Sequence, residues 1–134
     1  MVELGADDIR IFLHLLGACV WIGGQLVLAA LVPVLREIGD DAPRRAANRF
    51  GLVAWPFFAL LVVTGVWNLL ELDFDTLDTS YQVTLGVKLV LVAISGLAAF
   101  VHSNTASKVV RGVTGGGGLV AGLGAFFLGV MLVV

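Results

Sequence analysis

Nitrogen and sulfur side chains able to ligate a transition metal are scarce in this chain: two histidines, one cysteine and two methionines. His14 stands out because it lies in the apolar stretch HLLGACVWIGG. Holding an ionisable side chain in hydrocarbon costs about 3 kcal/mol or more, so such a residue is kept for a reason. Two reasons fit: a structural hydrogen bond to a neighbouring helix, or ligation of copper or haem iron. Lys88, in YQVTLGVKLVLV, raises the same question. Either its stem, about 6 Å long, snorkels to the headgroups, or its ammonium faces an internal pocket. In the pocket it would pair with Glu71 or with an anionic group of a ligand.

Spacing assigns faces. Arg10, His14, Trp21 and Gln25 recur at steps of four and seven, one face of a helix, with Gly17 and Gly24 alongside. Tyr81, Lys88, Ser95 and His102 are seven apart and form a second seam. Thr64 and Asn68, four apart, share a third face. At a rise of ~1.5 Å per residue, His14, Thr64 and Lys88 all lie ~5–10 Å below one membrane surface. They are expected to meet there with Asn68 in an outer-leaflet pocket walled by Trp21. His102 falls at the opposite end, as a solvated loop residue, too far from His14 to share an ion. Met131 returns to the level of His14, so His14 and Met131 are the candidate metal ligands, completed by water or a second copy. Cys19 is about 140° round the helix from His14 and is expected to be a buried, small apolar residue.

The elements that must carry these residues follow from composition. Of 134 residues 59% are hydrophobic and 13% charged, with a mean hydropathy of +1.02, the profile of an integral membrane protein. A 30 Å core takes roughly 20 residues per helix. Four runs qualify: 11–35, 50–70, 81–101 and 113–134. Backbone polar groups in lipid must be satisfied within the segment, so these are helices. The short connections predict an all-α, antiparallel four-helix bundle, one domain over 1–134. Pro56 is expected to kink its helix, Gly115–Gly118 to form a flexible entry, and the Gly118-x-x-x-Gly122 spacing to pack inside the bundle. Trp55 and Trp67 suit interface anchoring.

Six of the eight basic residues, Arg36, Arg44, Arg45, Arg49, Lys108 and Arg111, flank two connections. The positive-inside rule places loops 36–49 and 102–112 in the cytoplasm and both termini outside, in a multi-pass inner-membrane topology. The acidic start and long first run do not read as a cleaved signal peptide. Asp73, Asp75 and Asp78 lack the pattern of a calcium loop and read as loop and helix cap. A net charge of −2 gives no support for nucleic-acid binding. No phosphate loop, zincin motif or nucleophile elbow is present, which argues against an enzyme of those classes.

HLLGACVWIGGQLVLAALVPVLRE, RFGLVAWPFFALLVVTGVWN and YQVTLGVKLVLV together resemble the copper resistance protein D (CopD) family, through His14, Trp21-x-Gly23-Gly24, Thr64-Gly65-x-x-Asn68 and Tyr81-x-x-x-Leu85-x-x-Lys88. The resemblance implies copper binding, or copper transport or resistance, at the cytoplasmic membrane. The histidine, Trp-Gly and lysine pattern is also similar to HemJ, a four-helix family implicated in protoporphyrinogen oxidation. That likeness implies haem b on His14, with Lys88 meeting a propionate or the substrate's carboxylates. A third reading is a small structural subunit of a larger membrane complex, or a homo-oligomer, in which the polar seams serve assembly alone.

Overall fold

The computed structural model describes residues 2–133. Met1 and Val134, the ends of the expected domain, and with Val134 the end of the fourth expected helix, lie outside the described residues. Four spans are long and apolar enough to cross a bilayer: Ala6–Ile38, Ala42–Leu70, Thr79–Asn104 and Lys108–Met131. No strand occurs among the described residues. The first span is α1 (Ala6–Ala18), a π-helical segment (Cys19–Gly23) and α2 (Gly24–Ile38); the other three are α3, α4 and α5 in chain order.

Each helix outruns its apolar core. The expected starts at 11, 50 and 113 become Ala6, Ala42 and Lys108, because hydropathy registers hydrocarbon while the helix continues through polar residues beyond it. Asp7 and Asp8 favour the positive end of α1, and Pro43 suits the first turn of α3. The Asp78 carboxylate caps α4 by accepting from Tyr81 N at 2.7 Å, and Ser107 caps α5. Connection 36–49 is mostly helix, leaving residues 39–41 as the turn, and 102–112 shrinks to residues 105–107. His102 is therefore a residue of α4, where the sequence suggested a loop. Gly115–Gly118, expected as a flexible entry, lie within α5.

The chain divides into two compact units, residues 1–72 and 73–134. The first is a hairpin in which α1, the π segment and α2 pack on α3. Its seam alternates steps of three and four: Arg10, His14, Gly17, Trp21 and Gly24 on one side, and Phe50, Ala54, Phe57, Leu61 and Thr64 on the other. Gly17 sits on the α3 backbone, where an added Cβ would lie 2.9 Å from the Phe57 carbonyl oxygen. Such close approach is how helices pack where lipid removes the hydrophobic drive. Trp21 is 3% exposed and meets Phe58 and Trp55 at ring-centroid distances of 4.3 and 5.2 Å. Trp55, 36% exposed and six residues past Arg49, also meets Trp21 on the seam.

The π segment widens the helix by one residue and withdraws the usual donor from some carbonyls. Just past this segment, Gln25 donates from Nε2 to the Trp21 carbonyl at 2.9 Å. Cys19 is exposed on this segment, contrary to its expected burial, because Ala18, Trp21 and Ile22 take the face toward α3. A thiol is apolar enough to face hydrocarbon.

The second unit is the hairpin of α4 and α5. Gly118 would bring a Cβ within 2.9 Å of the Ala98 methyl, and Gly122 and Ala125 are buried along the same stripe. The Gly118–Gly122 spacing therefore packs inside this hairpin. Beyond the seams, Phe12, Val63, Leu97 and Phe127 are each about 60% exposed or more, as a surface solvated by lipid requires.

Candidate functional site

In the first unit the structure brings His14 and Thr64 together. His14 Nδ1 lies 3.1 Å from the Leu61 carbonyl oxygen and 3.0 Å from Thr64 Oγ1. A carbonyl can only accept, so Nδ1 carries hydrogen. The Thr64 hydroxyl proton is directed to the Leu60 carbonyl at 2.7 Å, leaving its oxygen to accept from His14. Thr64, 2% exposed, thus orients the imidazole, and in the neutral ring the lone pair falls on Nε2. Gly65 makes room, since its Cβ would lie 3.3 Å from His14 Cε1. This is the structural hydrogen bond to a neighbouring helix that was one of the two expected reasons for the residue; the same arrangement also orients histidines that ligate metals. Asn68 is half-buried one turn beyond Thr64, and Trp21 closes the seam two turns deeper.

One turn above His14 lies a residue that polar spacing flagged but whose chemistry was missed. Arg10 is 9% exposed, with Nη1 at 3.0 Å from Asp7 and 3.7 Å from Glu71. Its guanidinium stands 5.8 Å from the Trp67 ring, and Trp67 Nε1 donates to Glu71 at 3.2 Å. Glu71, considered from sequence as a partner for Lys88, is engaged here by Arg10 and Trp67. The i, i+4 relation of Arg10 to His14 was the available signal.

Lys88 and Met131 belong to the second unit. Lys88 is half-buried, its Nζ 3.3 Å from where a Gly129 Cβ would be, so the glycine gives the ammonium its path across α5. Met131 ends α5 at 54% exposure. At the other end of this hairpin His102 Nδ1 donates to the Arg111 carbonyl at 2.7 Å, with the ring over Gly115. Lys88 and His102 thus lie on the side of α4 that meets α5, and the Ser95 backbone carbonyl comes within 3.6 Å of where a Gly118 Cβ would be. Among the described residues no three His, Cys, Asp or Glu side chains are grouped to hold a metal ion.

A family model described as copper resistance protein D matches residues 44–134. The chain belongs to the CopD family. It is a multi-pass membrane protein, and the CopD match runs from the first turns of α3 to the end of the chain. Thr64, Asn68, Lys88 and Met131 fall within the matched stretch, while His14 and Trp21 precede it. The glycine-packed α5, which carries no distinctive motif, is part of the family pattern. Comparison with curated proteins and with solved structures gave no match.

Proposed function

We propose that this CopD protein binds copper as cargo at His14 and serves copper movement or resistance at the cytoplasmic membrane. The observation that carries the reading is the imidazole of His14, oriented by Leu61 and Thr64 inside a membrane hairpin of a family described by copper resistance. Nε2 is the nitrogen through which His14 would take the ion, with Trp21 walling the seam and Asn68 offering an amide oxygen nearby. A site with few protein ligands suits an ion that must leave again, as cargo does, better than a permanent centre. In this reading the turn of the first hairpin faces the cytoplasm, as Arg36, Arg44, Arg45 and Arg49 favour, and His14 then lies near the outer surface.

The test is copper stoichiometry of the purified full chain after exposure to Cu(I) and removal of free ion, for the wild type and His14→Ala. The expected result is a copper content that falls at least tenfold in the variant. Equal copper in both proteins would refute the role of His14. A Soret band in the protein as purified, lost in His14→Ala, would transfer the histidine to haem.

A further inference from the structure

Arg10 has more hydrogen-bonding capacity than its neighbours use. Both carboxylates meet the same nitrogen, Nη1, at 3.0 and 3.7 Å. The opposite edge of a guanidinium presents Nε–H and one Nη2–H in parallel, the fork that matches two oxygens of a phosphate or carboxylate. On that edge of Arg10, Nε is buried and has no hydrogen-bond partner among the described residues. A buried donor left unmade is costly, more so on a charged group, and calls for an acceptor.

Position narrows the acceptor. Arg10 immediately precedes the apolar run that begins at Ile11, so it sits at the level of the lipid phosphates. We infer that Arg10 binds one phosphate-type oxoanion through its Nε and Nη2 edge, one helical turn above His14. The two acids nearby do not forbid this. Asp7 and Glu71 side chains are 75% and 55% exposed, so water screens them, and both meet Nη1 rather than the Nε and Nη2 edge. Trp67 under the guanidinium favours the orientation. The inference does not depend on copper and is tested on metal-free protein.

The source of the phosphate, a lipid headgroup or a free anion, is resolved by two measurements on the full chain. Native mass spectrometry in mild detergent with dioleoyl phosphatidylglycerol reads retained lipid, and thermal shift of delipidated protein reads inorganic phosphate. A headgroup site retains one lipid per chain with little response to phosphate; a free-anion site gives the reverse. In either case Arg10→Lys, which keeps the charge but loses the fork, should weaken binding at least tenfold. Asp7→Asn provides a second readout that does not rely on Arg10→Lys folding. Removing a negative charge near the anion should tighten binding about threefold. Equal retention and equal shift in the wild type and a folded Arg10→Lys would mean that water fills the edge and overturn the assignment. So would weaker binding in Asp7→Asn.

Discussion

Gly17→Ala tests whether the contact between α1 and α3 sets the geometry at His14. The new Cβ would lie 2.9 Å from the Phe57 carbonyl oxygen, 3.0 Å from Leu61 Cβ and 3.1 Å from Leu61 N. None of these atoms ends a flexible side chain, so the helices must part by about 0.5 Å to restore ordinary contact. His14 is one turn away on the same seam, and Leu61 both meets the new methyl and accepts from His14. The hydrogen bonds at 3.1 and 3.0 Å would stretch to about 3.5 Å, where little of their value remains. Overpacking costs about 1–3 kcal/mol and a weakened hydrogen bond about 1 more, giving an expected loss of about 2–4 kcal/mol. Reversible unfolding in mixed micelles measures the loss. The imidazole nitrogen shifts of labelled His14 report whether the proton on Nδ1 is still fixed. Gly86→Ala is the control: its Cβ meets nothing within 4 Å, so it should gain about 0.5–1 kcal/mol from helix propensity. If Gly17→Ala is as stable as the control and the His14 shifts do not move, the seam does not position the histidine.

Two further outcomes follow from local hydrogen bonding. Gln25→Leu leaves the Trp21 carbonyl without its side-chain donor and should cost about 1 kcal/mol, with the loss visible in the same unfolding assay and smaller in Gln25→Asn if the shorter amide still reaches. Asp78 titrates below its ordinary value of 3.8, first because Tyr81 N donates to its carboxylate and then through Ser80. A depressed folded value means that its stabilisation of α4 is complete above the ordinary carboxylate range and is lost as pH falls through the folded value. Asp78→Asn keeps a capping oxygen but cannot ionise, so it should flatten the pH dependence of stability below about pH 4. An unchanged acid limb would remove Asp78 as its source.

The four spans were legible because a hydrophobic run of bilayer length admits one backbone solution. The seam with Arg10, His14, Gly17, Trp21 and Gly24 was legible too, since polar and small residues in hydrocarbon cluster where helices meet. Positions set by a neighbouring helix were not. The contact of Trp55 with Trp21 could not be read from spacing, and His102 reads as loop until Arg111 supplies a carbonyl from the next helix. Cys19 misled because its apolar character was read as burial, although its place about 140° from His14 turns it away from α3. Of the site, the sequence marked His14 and Thr64 as sharing a depth. It held no sign that one threonine would spend its proton on its own helix and its lone pair on the histidine.

The widened turn at Cys19–Gly23 bears on how this span tolerates changes in length. An ordinary helix advances about 100° per residue, so an inserted or deleted residue puts half of a packed span out of phase with its neighbour. Here one surplus residue is already accommodated between His14 and Gly24, both of which pack on α3. Deleting one residue from 19–23 would return the segment to a regular helix and keep both halves of the contact face in phase with α3. In-frame gene variants that lose one codon in this window should therefore be less damaging than equal losses between residues 11 and 17, where the helix is regular, although both shorten the same span by one residue.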